Sequence, residues 1–353
     1  MRSLFQPLQQ RGLALRNRIA VSPMCQYSSV DGMPGDWHLV HLGSRAVGGA
    51  AVVFTEASAV SPEGRISPED AGIWNDAQAQ AWAPIARFIA SQGAVPAMQL
   101  AHAGRKASTF APWRGSGEVP RAEGGWQTVA PSALAFDEGY PRPSALDADG
   151  IAKVVADYRA ATLRAHASGF RIVEIHAAHG YLLHEFLSPL SNRRTDGYGG
   201  HFDARTRLLR ETISAVRDAW PEELPLWLRI SATDWVDGGW DIGQSIELSR
   251  VAASLGVDLV DVSSGGLDPR QRIVTGPGYQ VPFAARIRRE AGVATGAVGM
   301  ITGPAQAEAI VAGGDADVVL LARELLRDPY FPRRAARELG IEPQAPEQYL
   351  RAW

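Results

Sequence analysis

A (β/α)₈ barrel is the fold class this sequence predicts, on three observations. Eight short runs rich in Val, Ile, Leu and Ala recur along the chain, helical patterns separate them, and the length of 353 residues suits one large α/β barrel. The runs are continuously apolar rather than alternating, as parallel strands covered on both faces require. An open doubly wound sheet is the structural runner-up, and two ordinary domains would also fit the length.

In chain order the strand-like runs are Arg18–Met24, Ala50–Ala57, Ala94–Ala101, Phe170–His176, Leu226–Ser231, Leu259–Ser264, Ala294–Met300 and Asp317–Ala322. The helices carry their own punctuation. Asp76 is placed to cap a helix whose apolar positions Trp82, Ile85, Phe88 and Ile89 share a face, and Gly93 ends it. Further helical segments are expected over Ala148–Ser168, Asp203–Trp220, Gln244–Leu255, Pro282–Ala291, Pro304–Ala312 and Pro329–Leu339, with Pro304 suited to a first turn. The connection from Ala103 to Asp147 is too long for a turn and is dense in Gly, Pro and Trp, which predicts an irregular excursion after the third strand. The whole chain, 1–353, is read as a single barrel domain with an N-terminal lid segment and a C-terminal tail over 341–353.

Composition excludes several classes. Lys plus Arg (35) nearly balance Asp plus Glu (38) for a net charge of -3, so no global field attracts nucleic acid or an anionic membrane. Cys25 alone supports neither an internal disulfide nor a Cys-rich iron–sulfur or zinc site. No stretch reaches the ~18 apolar residues of a membrane span, and the first residues lack a signal peptide's apolar core, so a cytoplasmic protein is expected. Neither Gly-x-Gly-x-x-Gly nor Gly-x-x-x-x-Gly-Lys-Ser/Thr occurs.

In such a barrel the C-terminal strand ends face the active site. The fourth ends in His176-Ala-Ala-His179-Gly-Tyr181: two imidazoles able to donate to one oxyanion, and a phenol able to deliver a proton beside them. Satisfied core histidines, or a metal pair completed by Glu174 or His184, are the competing readings of the same residues. The seventh and eighth ends carry Gly299, which lets backbone N–H groups come close to a ligand, and Arg323, a fixed charge beside a short helix; together they suggest a phosphate site. Gln99 offers a donor and an acceptor to a flat heterocycle and Arg229 a cation beside it, which suggests flavin mononucleotide; a barrel-filling amide and an internal ion pair are the plain alternatives.

These residues lie in motifs, Ser22-Pro-Met-Cys25-Gln-Tyr27, Gln99-Leu-Ala-His102-Ala-Gly-Arg105, His176 to Tyr181 with Phe186-Leu-Ser-Pro189, Asn192 to Gly200 and Val298-Gly-Met300, through which the chain resembles the Old Yellow Enzyme family nearly end to end. The likeness is to the bacterial subgroup of NADPH dehydrogenases and xenobiotic reductases. It implies that Ser22, Pro23, Met24, Cys25, Ala57, Gln99, Arg229, Gly299, Met300, Ala322 and Arg323 bind FMN. His176 and His179 would hold the substrate's activating oxygen, Tyr181 would donate the proton, Tyr27 would help hold the substrate, and Cys25 would tune the flavin. NADPH is the implied transient reductant, with Arg105 and Arg114 candidates for its extra phosphate. Enones, enals and nitro compounds are the implied substrates. The resemblance further implies a homodimer or homotetramer in which Arg351 enters the neighbouring subunit's site. A Schiff-base aldolase would need an inward lysine, and the chain has only Lys106, in the excursion, and Lys153, in a predicted helix; a histidine-based metal hydrolase is the other alternative.

Overall fold

The computed structural model describes residues 3–353. Eight parallel strands close into a barrel: β1 Ile19–Val21, β2 Val52–Ala59, β3 Val95–Ala101, β4 Ile172–Ala177, β5 Leu226–Ser231, β6 Leu259–Ser263, β7 Ala294–Ala297 and β8 Val318–Leu321. Closure is made where β8 pairs with β1 through Val319↔Ile19 and Leu321↔Val21, which rules out the open sheet. The first and seventh strands are shorter than expected. After Val21 the Ser22 amide still reaches Leu321 O at 2.9 Å, but Pro23 has no N–H with which to extend the ladder. Beyond Ala297 the chain turns through Gly299 (φ 118°) and Met300 (φ 51°).

The helices are α1 Asp36–Val47, α2 Asp76–Ser91, α3 Ala148–Ala167, α4 Leu182–Leu187, α5 Phe202–Ala219, α6 Ile242–Ser254, α7 Val281–Ala291, α8 Pro304–Ala312, α9 Arg323–Arg327 and α10 Phe331–Glu338. Two of these are not marked in the sequence: α1 turns His38, His41 and Arg45 inward in place of an apolar face, and α4 spans only six residues. The cap of α2 is Asn75 rather than Asp76: the Asn75 side chain accepts the Gln78 amide at 2.9 Å, while Asp76 lies in the first turn and pairs with Arg164. Trp82, Ile85 and Ile89 are buried as expected, but Phe88 lies at the edge of that face and is 38% exposed.

Apolar side chains including Phe54, Ile172, Trp227, Leu259 and Leu320 fill the barrel, with the Phe54 and Trp227 rings 5.3 Å apart. Truncating either ring would cost ~3–5 kcal/mol. The N-terminal segment is indeed a cover, but for the other end of the barrel. Its antiparallel strands Leu8–Gln10 and Leu13–Leu15 set Leu8, Leu13 and Leu15 against that core, and Gln10 Oε1 accepts from Trp227 Nε1 at 2.8 Å. The excursion is largely irregular, holding a two-residue pairing of Val129–Ala130 with Ser144–Ala145, a single bridge between Thr109 and Glu118, and two short 3₁₀ turns. No helix among the described residues is long and apolar enough to cross a membrane.

Candidate active site

At the end of β4 the chain makes a turn that only its glycines permit. Gly180 (φ 74°) lies so close to the loop after β6 that a Cβ there would sit 2.2 Å from Gly266 O, and a Cβ on Gly266 (φ 88°) would strike His179. His179 takes the left-handed conformation itself (φ 61°), held by its amide bond to Ser231 Oγ at 2.9 Å. The turn packs the His176 ring against both partners, with centroids 5.1 Å from His179 and 5.0 Å from Tyr181, each nearly perpendicular. The three candidate residues therefore converge.

Both imidazoles are neutral. Burial, then the Arg229 charge, pushes each well below the ordinary histidine value. His176 Nδ1 accepts the Ala178 amide at 3.2 Å, so its proton sits on Nε2. The Ser263 hydroxyl has two acceptors in reach, His179 Nε2 at 2.7 Å and Gln280 Oε1 at 3.4 Å; given to the nearer one, its hydrogen leaves the His179 proton on Nδ1. Burial raises the Tyr181 phenol well above its usual value, with Cys25 and Tyr27 adding to the shift, so it stays protonated. Its hydroxyl makes no hydrogen bond to another described residue.

Cys25 and Tyr27 stand together after β1, the Tyr27 ring edge-on to Trp113 of the excursion at 5.4 Å. Burial, Asp70 and Glu56 push the Cys25 thiol well above its ordinary value, which makes it a poor nucleophile. Glu56, on β2, accepts the Gln26 amide at 3.1 Å and pairs with His38 at 3.0 Å, so it supports this loop.

Gln99 and Arg229 combine both of the readings open to them. Gln99 is 1% exposed and gives one amide hydrogen to Glu174 Oε1 at 2.8 Å, keeping its oxygen and second hydrogen. Arg229 pairs with Asp261 at 3.2 Å and donates to Ser22 Oγ at 3.2 Å. Ala57 lies on β2 in register with Gln99. Past β7 and β8 a cavity of about 340 Å³ is bordered by Gly299, Met300, Ala322, Arg323 and Tyr279. A Cβ on Gly299 would meet Gln280 Nε2 at 2.7 Å, so only glycine brings the backbone this close.

Three expectations need correction. Arg105 is buried and donates to Leu267 O at 2.7 Å, which makes it a strut of the excursion rather than a surface phosphate ligand, whereas Arg114 is exposed and its pairing with Glu69 leaves it free to meet one. His184 cannot complete a metal site with His176: its Nδ1 accepts the Gly180 amide and its Nε2 pairs with Asp234 at 2.9 Å. Glu174, the other nominee, is engaged by Gln99. Among the described residues no group of three or more His, Cys, Asp or Glu is placed to hold a metal. Sequence reasoning missed Lys106, whose ammonium bonds His179 O and Gly266 O, both at 2.9 Å, and lies 5.3 Å from the Tyr181 ring. Burial lowers it to about 8. With both carbonyls claiming it, Lys106 braces the turn and is not an open amine for a Schiff base. Nothing in its local sequence signals this, because the contact joins residues far apart in the chain. Arg351 lies in the exposed tail, whose Tyr349 and Trp353 rest on Tyr330.

A barrel whose mouth offers a glycine-bordered cavity with an arginine, an amide and a guanidinium for a heterocycle, and neutral donors above them, has a donor set that fits a flavin nucleotide; it defines a flavin-dependent oxidoreductase. The model of the NADH:flavin oxidoreductase / NADH oxidase family matches residues 3–342. The chain is 46% identical to the NADPH dehydrogenase of Bacillus subtilis (strain 168) over 100% of its own length and 99% of that protein's. It superposes on the old yellow enzyme homologue from Zymomonas mobilis with a TM-score of 0.80 at 28% identity, covering 98% and 96% of the two chains. It also spans about half (52%) of a 2-naphthoyl-CoA reductase, with 95% of its own length aligned, a TM-score of 0.86 and 22% identity, a likeness of fold alone. The chain belongs to the Old Yellow Enzyme family, in its bacterial NADPH dehydrogenase subgroup. It is an oxidoreductase whose cofactor is FMN and whose reductant is a nicotinamide.

Proposed function

We propose that this protein is an ene-reductase, which takes electrons from NADPH and saturates small alkenes conjugated to a carbonyl or nitro group. The observation that carries the reading is the convergence of two neutral imidazoles and an unbonded phenol at one strand end, in a barrel mouth that also holds the cavity bordered by Gly299 and Arg323. FMN, when bound, supplies the hydride that reaches the β-carbon. Ser22, Pro23, Met24, Cys25, Ala57, Gln99 and Arg229 would hold its ring system, and Gly299, Met300, Ala322 and Arg323 its phosphate end.

His176 Nε2–H and His179 Nδ1–H donate to the substrate's activating oxygen, where negative charge collects; each such donor contributes ~3 kcal/mol. Because both rings are neutral, each has one hydrogen to give and neither can lose it to the enolate oxygen at working pH. Tyr181 gives its proton to the α-carbon. A phenol is a weak acid, yet it is adequate against a far more basic carbon. Tyr27 holds the substrate from the β1 side, and Cys25, a neutral thiol, tunes the ring beside it. Burial in this mouth excludes water and strengthens all of these contacts.

The whole chain acts as one FMN-binding domain of a cytoplasmic homodimer or homotetramer, and Arg351 of a neighbouring copy reaches the substrate site. The name of the Bacillus subtilis relative supports NADPH as the donor. The test is direct. The purified protein should be yellow and should oxidise NADPH anaerobically in the presence of 2-cyclohexenone, with parallel double-reciprocal plots because both ligands share one site. Intersecting plots, or colourless protein that binds no FMN, would overturn the reading.

A further inference from the structure

Three charged groups inside the barrel do not balance. Glu174 on β4 and Asp261 on β6 are both fully buried, and the cation between them is Arg229 on β5. Arg229 Nε lies 3.2 Å from Asp261 Oδ2, and its Nη1 is given to Ser22. Glu174 has one neutral donor, Gln99, on Oε1; its Oε2 has no hydrogen-bond partner among the described residues, and neither has either oxygen of Asp261. The other titratable rings facing Arg229, His176 and His179, are neutral and add no positive charge. Two carboxylates against one guanidinium would leave a net negative charge sealed from water, at a cost of several kcal/mol. Taking up one proton removes that cost. Asp261 has the ion pair and Glu174 has only an amide, so the proton belongs on Glu174 Oε2.

We propose that Glu174 is a neutral carboxylic acid over the working pH range, and that this proton leaves Arg229 with one counter-charge instead of two, so that its positive field is preserved for the flavin ring. Glu174 is thus a positioning residue: it acts through Gln99 and Arg229 and touches no reacting atom. Titration behaviour agrees. Burial, then Asp261, pushes Glu174 well above the carboxylate range, whereas Asp261 is raised by burial only to about 6 because Arg229 opposes the shift. The role in tuning the flavin rests on the function proposed above; the protonation state does not.

Infrared difference spectra of protein labelled with [5-¹³C]glutamate test the protonation in the flavin-loaded and the flavin-stripped protein alike. A carboxylic acid C=O band that shifts in D₂O and with the label is expected in wild type, with its loss in Glu174→Gln and also in Asp261→Asn, where Glu174 becomes the only counter-charge of Arg229 and ionises. In the holoenzyme Glu174→Gln, an isosteric neutral mimic, should leave the flavin's redox equilibrium within about twofold of wild type. Asp261→Asn alone should also leave it within about twofold, because Glu174 takes over as counter-charge, whereas Glu174→Gln combined with Asp261→Asn, which leaves Arg229 none, should move it towards the reduced form by about tenfold, ~30 mV for a two-electron couple. Absence of the band from wild type, its persistence in Glu174→Gln, or a shift in Glu174→Gln as large as in the double variant would overturn the proposal. Glu185, also buried and raised to about 8, contributes a band of its own, so should Glu174→Gln not fold, loss of one labelled band in Glu174→Asp, which lacks the labelled carbon at this position, decides. A protein that shows the band but reduces no enone would refute the proposed function and leave this protonation standing.

Discussion

Replacing Tyr181 by phenylalanine removes one oxygen and almost nothing else, which makes it the sharpest probe of the proton step. The ring keeps its perpendicular contact with His176 at 5.0 Å and its place 5.3 Å from the Lys106 ammonium. The hydroxyl bonds to no other described residue, so its loss strands no buried partner and folding stability should change by less than ~1 kcal/mol. A positioned general acid contributes about 10²–10⁴-fold, or ~3–5 kcal/mol at 1.36 kcal/mol per decade. Anaerobic stopped-flow separates the two halves of turnover. Reduction by NADPH should stay within about twofold of wild type, while reoxidation by 2-cyclohexenone falls by roughly 10²–10⁴-fold, since only the second half needs the acid. Enone reoxidation at the wild-type rate would remove Tyr181 from the role. A parallel fall in both halves would show that the substitution had damaged cofactor binding instead.

Gly180→Ala should cost about 2 kcal/mol or more in urea unfolding and slow enone turnover as well, because the left-handed backbone and the 2.2 Å approach to Gly266 O leave no room for a methyl; wild-type stability would refute the close packing of the two turns. Arg105→Met should lower stability by ~1.5–3 kcal/mol, the value of a buried charged hydrogen bond, while leaving KM for NADPH unchanged. A large rise in that KM with intact stability would restore Arg105 as a phosphate ligand. His41, buried on α1 and pushed down to about 3 by burial and then by Arg45, binds its proton only in the unfolded chain between about pH 6.5 and 3. Its contribution is therefore complete above pH 6.5 and is lost as pH falls, at up to ~1.4 kcal/mol per pH unit. His41→Gln should gain on wild type as denaturation is repeated from pH 7 down to 5, and a constant difference would refute the assignment.

Much of the site was legible because its parts are local. The sequence from His176 to Tyr181 carries both imidazoles and the phenol within six residues at a strand end, and the barrel rule puts such ends on one face. Gly299 and Arg323 were readable for the same reason. Helix α1 was not, since His38, His41 and Arg45 on its inner face replace the apolar residues that mark a helix in sequence.

The chain's own order of apolar runs, breaks and strand-end motifs determined the barrel, the family and the chemistry of the candidate site. Tertiary structure alone decided which charges meet: that Lys106 comes out of the excursion to brace His179, that Arg105 is spent inside, and that Arg229 pairs with Asp261 while Glu174 is left with only Gln99. The physical reason is range. Strand and turn preferences act between near neighbours, whereas a charge's partner and burial are set by residues brought together from strands far apart in the chain, and those two quantities fix its protonation.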